Sequence, residues 1–571
     1  MVAVLLVCGC TSGATNAPGS VPARADADLV LSNASVYTVD AQRSWAEAVA
    51  IRGEHIVYVG TSEGAAAFAG DATRIVDLGG RMLLPGFQDA HVHPVSGGVA
   101  QVQCPLFGIT SVEALVAKVA RCAEEGPELP WIIGRGWSLA SFHPDGLPDK
   151  RLLDAVVADR PVVLKSVDGH SLWVNSKALA AAGITAHTPD PPRGRIDRVA
   201  GTREPSGSVQ EDFEIVLDHA PPLSDEIRLA GLRHSVAYLN GLGITAIQDA
   251  NVKLAAGDEY TSFAAYHALD DAGGLSLRVR AAMWWEPARG IDEQIEELVA
   301  ARRQHTRGNV DASAVKIMED GVLEVGTAAL LDPYLDRDDG FTGILNVDPE
   351  SLDGIVTRLD ALGFQVHYHA IGDRAIRVSL DAVAAARATN GPRDARHHIS
   401  HAQLIHPLDL PRLAPLAVVA TFQPIWAITD AYITELTIPR IGSERGRHLY
   451  LHESVRRSGA RVAFGSDWSV SSPDPLLGIE TAVTRLDPHG GTDVPLGEGE
   501  EMTLADAIES YTRQAAFVSF IEDRTGSIEV GKLADLVVLD RNLFELPPDR
   551  ISDARVVATL FAGRVVHGAL D

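Results

Sequence analysis

Leu83-Leu84-Pro85-Gly86-Phe87-Gln88-Asp89-Ala90-His91-Val92-His93 is an apolar run that ends in two histidines spaced by one residue. On a strand, side chains two apart share a face. His91 and His93 therefore aim at one point beyond the strand end. Two imidazoles converging there suit a borderline divalent metal such as zinc. A bare His-x-His is equally compatible with solvated or packed histidines, so the rest of the chain has to decide.

Working outward, seven more apolar stretches read as strands alternating with helical segments: Ile244 to Asp249, Leu277 to Trp284, Ala314 to Glu319, Gln365 to His369, His397 to His401, Val418 to Gln423 and Val462 to Asp467. With Leu84 to His93 as the first, they predict an α/β fold, a (β/α)8 TIM barrel. A long segment, about 97–242, separates the first two strands and carries strands of its own, Trp131 to Gly134 and Pro161 to Lys165. It reads as a subdomain inserted over the barrel mouth. Both ends of the chain are strand-like, and predict a small β-sandwich domain built from 27–84 and 525–571 around a barrel of 85–524.

In such barrels the active site lies at the C-terminal strand ends. Those ends supply His91 and His93, then Lys316, then His367 and His369, then His401, and last Asp467. Singly, each has a dull explanation: Lys316 as a snorkelling lysine, His401 as a packed histidine, Asp467 as a helix cap. Five separate strand ends all offering metal-compatible groups is hard to obtain by accident. Trp284, Trp285, Trp426 and Trp468 also fall near strand ends, where they could wall an apolar pocket or simply pack.

Composition narrows the class. Of 571 residues, 46% are hydrophobic and 22% charged, which suits a large folded core. A net charge of -27 argues against nucleic acid as a partner, since phosphate contacts need a surplus of Lys and Arg. Met1 to Cys10 is apolar and too short to span a bilayer. Val7-Cys8-Gly9-Cys10 resembles a bacterial lipobox, with Cys10 as the lipidated residue and 1–26 as signal and tether. That reading predicts an exported lipoprotein anchored to a membrane. The absence of Lys or Arg before the apolar run departs from it, and a misassigned start would make the protein cytoplasmic. Cys104 and Cys122 would pair if the protein is exported and stay as free thiols if it is not.

The Pro-Gly-Phe-x-Asp-x-His-x-His run, His369-Ala370-Ile371-Gly372-Asp373, Gly465-Ser466-Asp467 and the closing Gly531-x-x-Ala534-Asp535-Leu536-Val537-Val538 resemble the amidohydrolase superfamily. Asp168-Gly169-His170-Ser171 and Val315-Lys316-Ile317-x-x-Asp320-Gly321 are similar to the type 3 branch, which includes N-substituted formamide deformylases. The resemblance covers nearly the whole chain after Asp26 and says little about substrate.

It implies roles. His91, His93 and Asp467 would hold one metal, His369 and His401 a second, and Lys316, carbamylated by carbon dioxide, would bridge them. His369 rather than His367 takes the ligand place by its position before alanine, leaving His367 behind it or facing substrate. A bridging water would have its pKa lowered towards ~7, and Asp467 would take its proton and pass it to the leaving nitrogen of a small-molecule amide. His170 would suit a donor to the carbonyl or its oxyanion, and Asp320 would orient the loop after the Lys316 strand. Ser400 stands where the branch is expected to carry glutamate, which touches the surroundings of His401 and leaves occupancy at one metal or two. A deaminase or cyclic-amide hydrolase, or a binding protein that kept the fold, are the competing readings. The sequence fixes no oligomeric state.

Overall fold

A computed structural model describes residues 26–570, apart from 143–145, 168, 170, 192–193, 212, 256–259 and 325. Eight parallel strands stand side by side in chain order: β1 (Phe87–Val92), β2 (Ile244–Val252), β3 (Arg278–Trp284), β4 (Val310–Met318), β5 (Gln365–Ala370), β6 (His398–His401), β7 (Val419–Phe422) and β8 (Val462–Phe464). The ends meet as well. Asp467 N–H donates to the His91 carbonyl (2.7 Å) and His93 N–H to that of Trp468 (2.8 Å). Gly465 permits this approach, since a Cβ there would lie 2.5 Å from His91 N. The sheet is thus a nearly closed barrel, with helices packed outside it.

The helix Pro349–Ala361 shows the local logic. Asp348 caps it by accepting from Ser351 N–H, Pro349 occupies its first turn, and Leu352, Ile355, Val356 and Leu359 form the stripe it buries.

The expected first strand, Leu84 to His93, is two strands. Met82–Pro85 belongs to a terminal sheet and Phe87–Val92 to the barrel. The chain changes sheets at Gly86, where a Cβ would sit 2.3 Å from Thr245 Oγ1. The expected fourth strand, Ala314 to Glu319, starts earlier, at Val310. Its first half escapes an apolar search because Asp311 ion-pairs with Arg280 on β3.

Residues from both ends of the chain form two further sheets. Leu29–Ser32 lies between Ala48–Arg52 and Arg74–Asp77 in one; Leu536–Leu539 lies between Met82–Pro85 and Val556–Phe561 in the other. They share a core that includes Leu31, Ile51, Leu83 and Val538. Buried Asp535 ties this core to the barrel floor: Arg278 Nε and Nη2 donate to its carboxylate at 2.7 and 3.1 Å.

Between β1 and β2 a six-stranded sheet runs from Cys104–Pro105 through Ile132–Trp137 and Val162–Ser166 to Ser171–Val174, Pro205–Gln210 and Arg195–Arg198. The helices Pro94–Val102 and Asp225–Gly241, which lead into and out of this segment, pack on each other through Gly98, where a Cβ would lie 2.0 Å from the Gly231 carbonyl oxygen. Cys104 and Cys122 form a disulfide across 18 residues. By loop entropy, such a crosslink is worth about 3 kcal/mol. Cys104→Ser with Cys122→Ser should therefore lower the urea midpoint by that equivalent. An unchanged midpoint would mean that the bond does not form. Among the described residues no helix is long and apolar enough to cross a membrane.

Candidate metal centre

Three barrel-rim residues converge on one corner. His91 ends β1, His93 opens the helix Pro94–Val102, and Asp467 follows β8. Asp467 Oδ1 lies 3.3 Å from His91 Nε2 and 3.0 Å from His93 Nε2. The donor atoms of the three lie within 4.8 Å of one another. Asp467 adopts φ +56°, a left-handed conformation that turns its side chain back over the rim.

The turn is buckled from below. Ser466 N–H and Oγ–H donate to Asp89 at 2.9 and 2.5 Å, and His91 N–H donates to the same carboxylate at 3.1 Å. Burial pushes Asp89 up to about 7 against the pull of the Ser466 hydrogen bonds. Asp89 and Ser466 lie inside motifs legible in the sequence, but their mutual contact spans most of the chain and could not be read there.

Beside this corner stand the other rim residues. The rings of His369 and His401 are 4.4 Å apart between centroids, and those of His91 and His401 are 4.8 Å apart. Lys316 is buried at 3% exposure, and burial presses its amine down to about 7, opposed by the Asp467 carboxylate. Its charged form would also act on His91, His369 and His401. His401, at φ +75°, has Nδ1 2.8 Å from Gln423 Oε1, and the ring of Trp426 lies nearly parallel to its own at 5.5 Å. With Nδ1–H donating to Gln423, His401 presents Nε2. His369 Nδ1 lies 3.4 Å from Asp320 Oδ1. Asp320 in turn accepts the N–H groups of Ile371 (3.0 Å), Gly372 (2.8 Å) and Ala329 (3.0 Å), while burial pushes it up to about 7.

His367 stands apart from this group, below it. Its Nε2 is 2.9 Å from His91 Nδ1 and 2.8 Å from Ser400 Oγ. His170 and Cys10 lie outside the described residues. Of the four tryptophans, Trp285 and Trp468 pack in the core, and Trp426 reaches a rim histidine. Gln423 ends an expected strand but carries no metal-ligating group, so only a pattern that includes every polar strand-end residue reaches it.

The donors fit a divalent metal. Asp467 Oδ1 is buried and makes no hydrogen bond of acceptable geometry. Although burial opposes it, the positive charge that His91 and His93 carry when protonated would hold the Asp467 carboxyl well below its usual range. Burial holds His91 and His401 well below the ordinary imidazole value and His369 at about 3. Two neutral imidazole nitrogens and a carboxylate oxygen are the ligand forms zinc requires.

These shifts set the acid stability of the metal-free protein. Burial also depresses His367 and His398. In the unfolded chain all five titrate near ~6.5. As pH falls below that, the unfolded chain takes up protons that the fold refuses. Each histidine then removes about 1.4 kcal/mol per pH unit. Asp89 and Asp320, pushed up to about 7, work the other way, holding protons in the fold that the unfolded chain refuses until ~4. Substitution isolates the histidine part: between about pH 6.5 and 5 the urea midpoint of metal-free His398→Phe should fall less steeply than that of wild type, and parallel slopes would contradict a buried neutral imidazole there.

The sequence model of the Amidohydrolase family matches residues 74–567. Protein LONG AFTER FAR-RED 3 of Arabidopsis thaliana is 31% identical over 553 residues, covering 96% of this chain and 92% of that protein. N-substituted formamide deformylase of Arthrobacter pascens is 27% identical over 552 residues, covering 94% and 97%. An uncharacterized metal-dependent hydrolase from Pyrococcus furiosus has a solved structure that superposes with TM-score 0.71 at 26% identity, covering 90% of this chain and 99% of that one.

Proposed function

The chain belongs to the amidohydrolase family, and from that premise we propose that it hydrolyses the C–N bond of a linear N-substituted amide at a divalent-metal centre. The observation that carries this reading is the convergence of His91 Nε2 and His93 Nε2 on an Asp467 oxygen left without a hydrogen bond. The N-substituted deformylase relative supports the choice of amide.

His91, His93 and Asp467 would hold one ion, zinc by their donor types. His369 and His401 would hold a second, with Lys316 between the two. When bound, the metal supplies a polarised carbonyl and a water acidified towards ~7. The residues do the rest. An amine pressed to about 7 is substantially uncharged at neutral pH, the form that adds to carbon dioxide to give a carbamate and one released proton. Gln423 holds the His401 ring in orientation, and Asp320 faces His369 Nδ1 at 3.4 Å. Asp467 takes the proton of the attacking water and returns it to the nitrogen as the C–N bond breaks, leaving an acid and an amine. His170 would donate to the carbonyl oxygen.

Metal-loaded protein should release a substituted amine and an acid from a panel of N-formyl and N-acyl amines. Release of ammonia instead would move the reading to a deaminase. Bound metal without turnover across the panel would move it to a binding protein. The bridged Cys104–Cys122 pair suits an oxidising compartment and supports export, with Cys10 as the anchor. Palmitate labelling lost in Cys10→Ser tests it.

A further inference from the structure

The barrel lumen beneath His91 is polar, where branched aliphatic side chains usually fill such barrels. Gln248, Arg280, Gln365, His367 and His398 are all buried there. The lower part closes on itself except at Gln248 Oε1, which is buried without a partner. Gln248 Nε2 and Arg280 Nε donate to Gln365 Oε1 at 3.3 and 2.7 Å, and Gln365 Nε2 donates to the Arg396 and Val518 carbonyls. The upper part does not close. His367 Nδ1 and His398 Nε2 are buried without a hydrogen-bond partner.

These two atoms have opposite needs. If His91 presents Nε2 to a metal, its hydrogen sits on Nδ1 and is donated to His367 Nε2, 2.9 Å away. His367, neutral, then carries its own hydrogen on Nδ1, a donor without an acceptor. The ring of His398 lies 4.1 Å from that of His367 between centroids. His398 Nδ1 is 3.1 Å from Thr421 Oγ1. With its hydrogen donated there, His398 Nε2 is an acceptor without a donor. An ion could serve one of these atoms but not both. A water within reach of both would serve both, and buried waters sit where unsatisfied polar groups of both kinds meet.

We infer that His398 is a positioning residue of the metal centre: through a buried water it anchors His367, and so fixes which nitrogen His91 turns to the metal. The hydrogen bonds then run one way, from His91 to His367 to water to His398 to Thr421, and such chains strengthen cooperatively. Ser400 makes the question a real one. Its Oγ, 2.8 Å from His367 Nε2, would accept from the opposite tautomer, which would set two hydrogens against each other at His91. The inference rests on the reading of His91 as a metal ligand.

The test compares zinc affinity, by competition with a chromophoric chelator, in wild type, His398→Phe and His398→Gln. It also reads the His367 tautomer from nitrogen shifts of 15N-histidine-labelled zinc protein, assigned with His367→Gln. His398→Phe should bind zinc about tenfold or more weakly, while the melting temperature of its metal-free form does not fall. His398→Gln, whose carboxamide can both accept and donate, should recover most of that loss. His367 should carry its hydrogen on Nδ1. Wild-type zinc affinity in His398→Phe, or a hydrogen on His367 Nε2, overturns the inference and leaves the proposed function standing. Wild-type protein that binds no zinc overturns both. If His398→Phe does not fold, Thr421→Val removes the far acceptor and should weaken zinc in the same direction. Unaltered affinity there also overturns the inference.

Discussion

Asp467→Asn is expected to lower kcat by about 10²–10⁴-fold, the range lost when a positioned proton-transfer group is removed. The carboxamide matches the carboxylate in shape but cannot accept the proton of the attacking water. It is also a poorer ligand, so the two effects must be separated. At zinc concentrations that saturate the variant, a ligand role alone would restore the rate, whereas a proton-transfer role would not. Near-wild-type kcat in zinc-saturated Asp467→Asn would remove the residue from the chemistry.

Lys316→Ala should abolish turnover, with partial recovery when short carboxylates such as acetate are supplied in place of the missing bridging oxygens. Zinc content should fall at the same time, towards a single ion. Unchanged turnover would end the bridging role. A second consequence follows from burial. In metal-free protein the amine is pressed to about 7, against ~10.4 in the unfolded chain. Between those values the unfolded chain holds a proton that the fold excludes. The cost is full below pH 7, of order ~5 kcal/mol, and it is relieved as pH rises towards 10. Metal-free Lys316→Met should therefore be more stable than wild type, with the gap greatest at and below pH 7 and narrowing above it. A gap that is absent, or that widens with pH, would show that the lysine is solvated.

Much of this architecture was legible because the barrel repeats one local pattern. Each strand carries its own apolar run, and the chemistry-bearing residue follows at its end, as with His369 after Gln365 or Asp467 after Val462. What was hidden depended on pairings distant in the chain. Asp311 concealed the start of β4 because its partner, Arg280, lies on another strand. Gly86 divides what reads as one strand, and only the approach of Thr245 reveals why. His367 and His369 face alike by spacing, yet one meets His91 from below and the other lies beside Asp320. Spacing fixes a face; depth along the barrel axis is set by the register of neighbouring strands.

The most direct measurement is an anomalous-difference map at the zinc edge from crystals grown with zinc. The account predicts a peak with His91 Nε2, His93 Nε2 and an Asp467 oxygen at about 2.0–2.2 Å. A zinc-loaded crystal with no peak at that corner would contradict it.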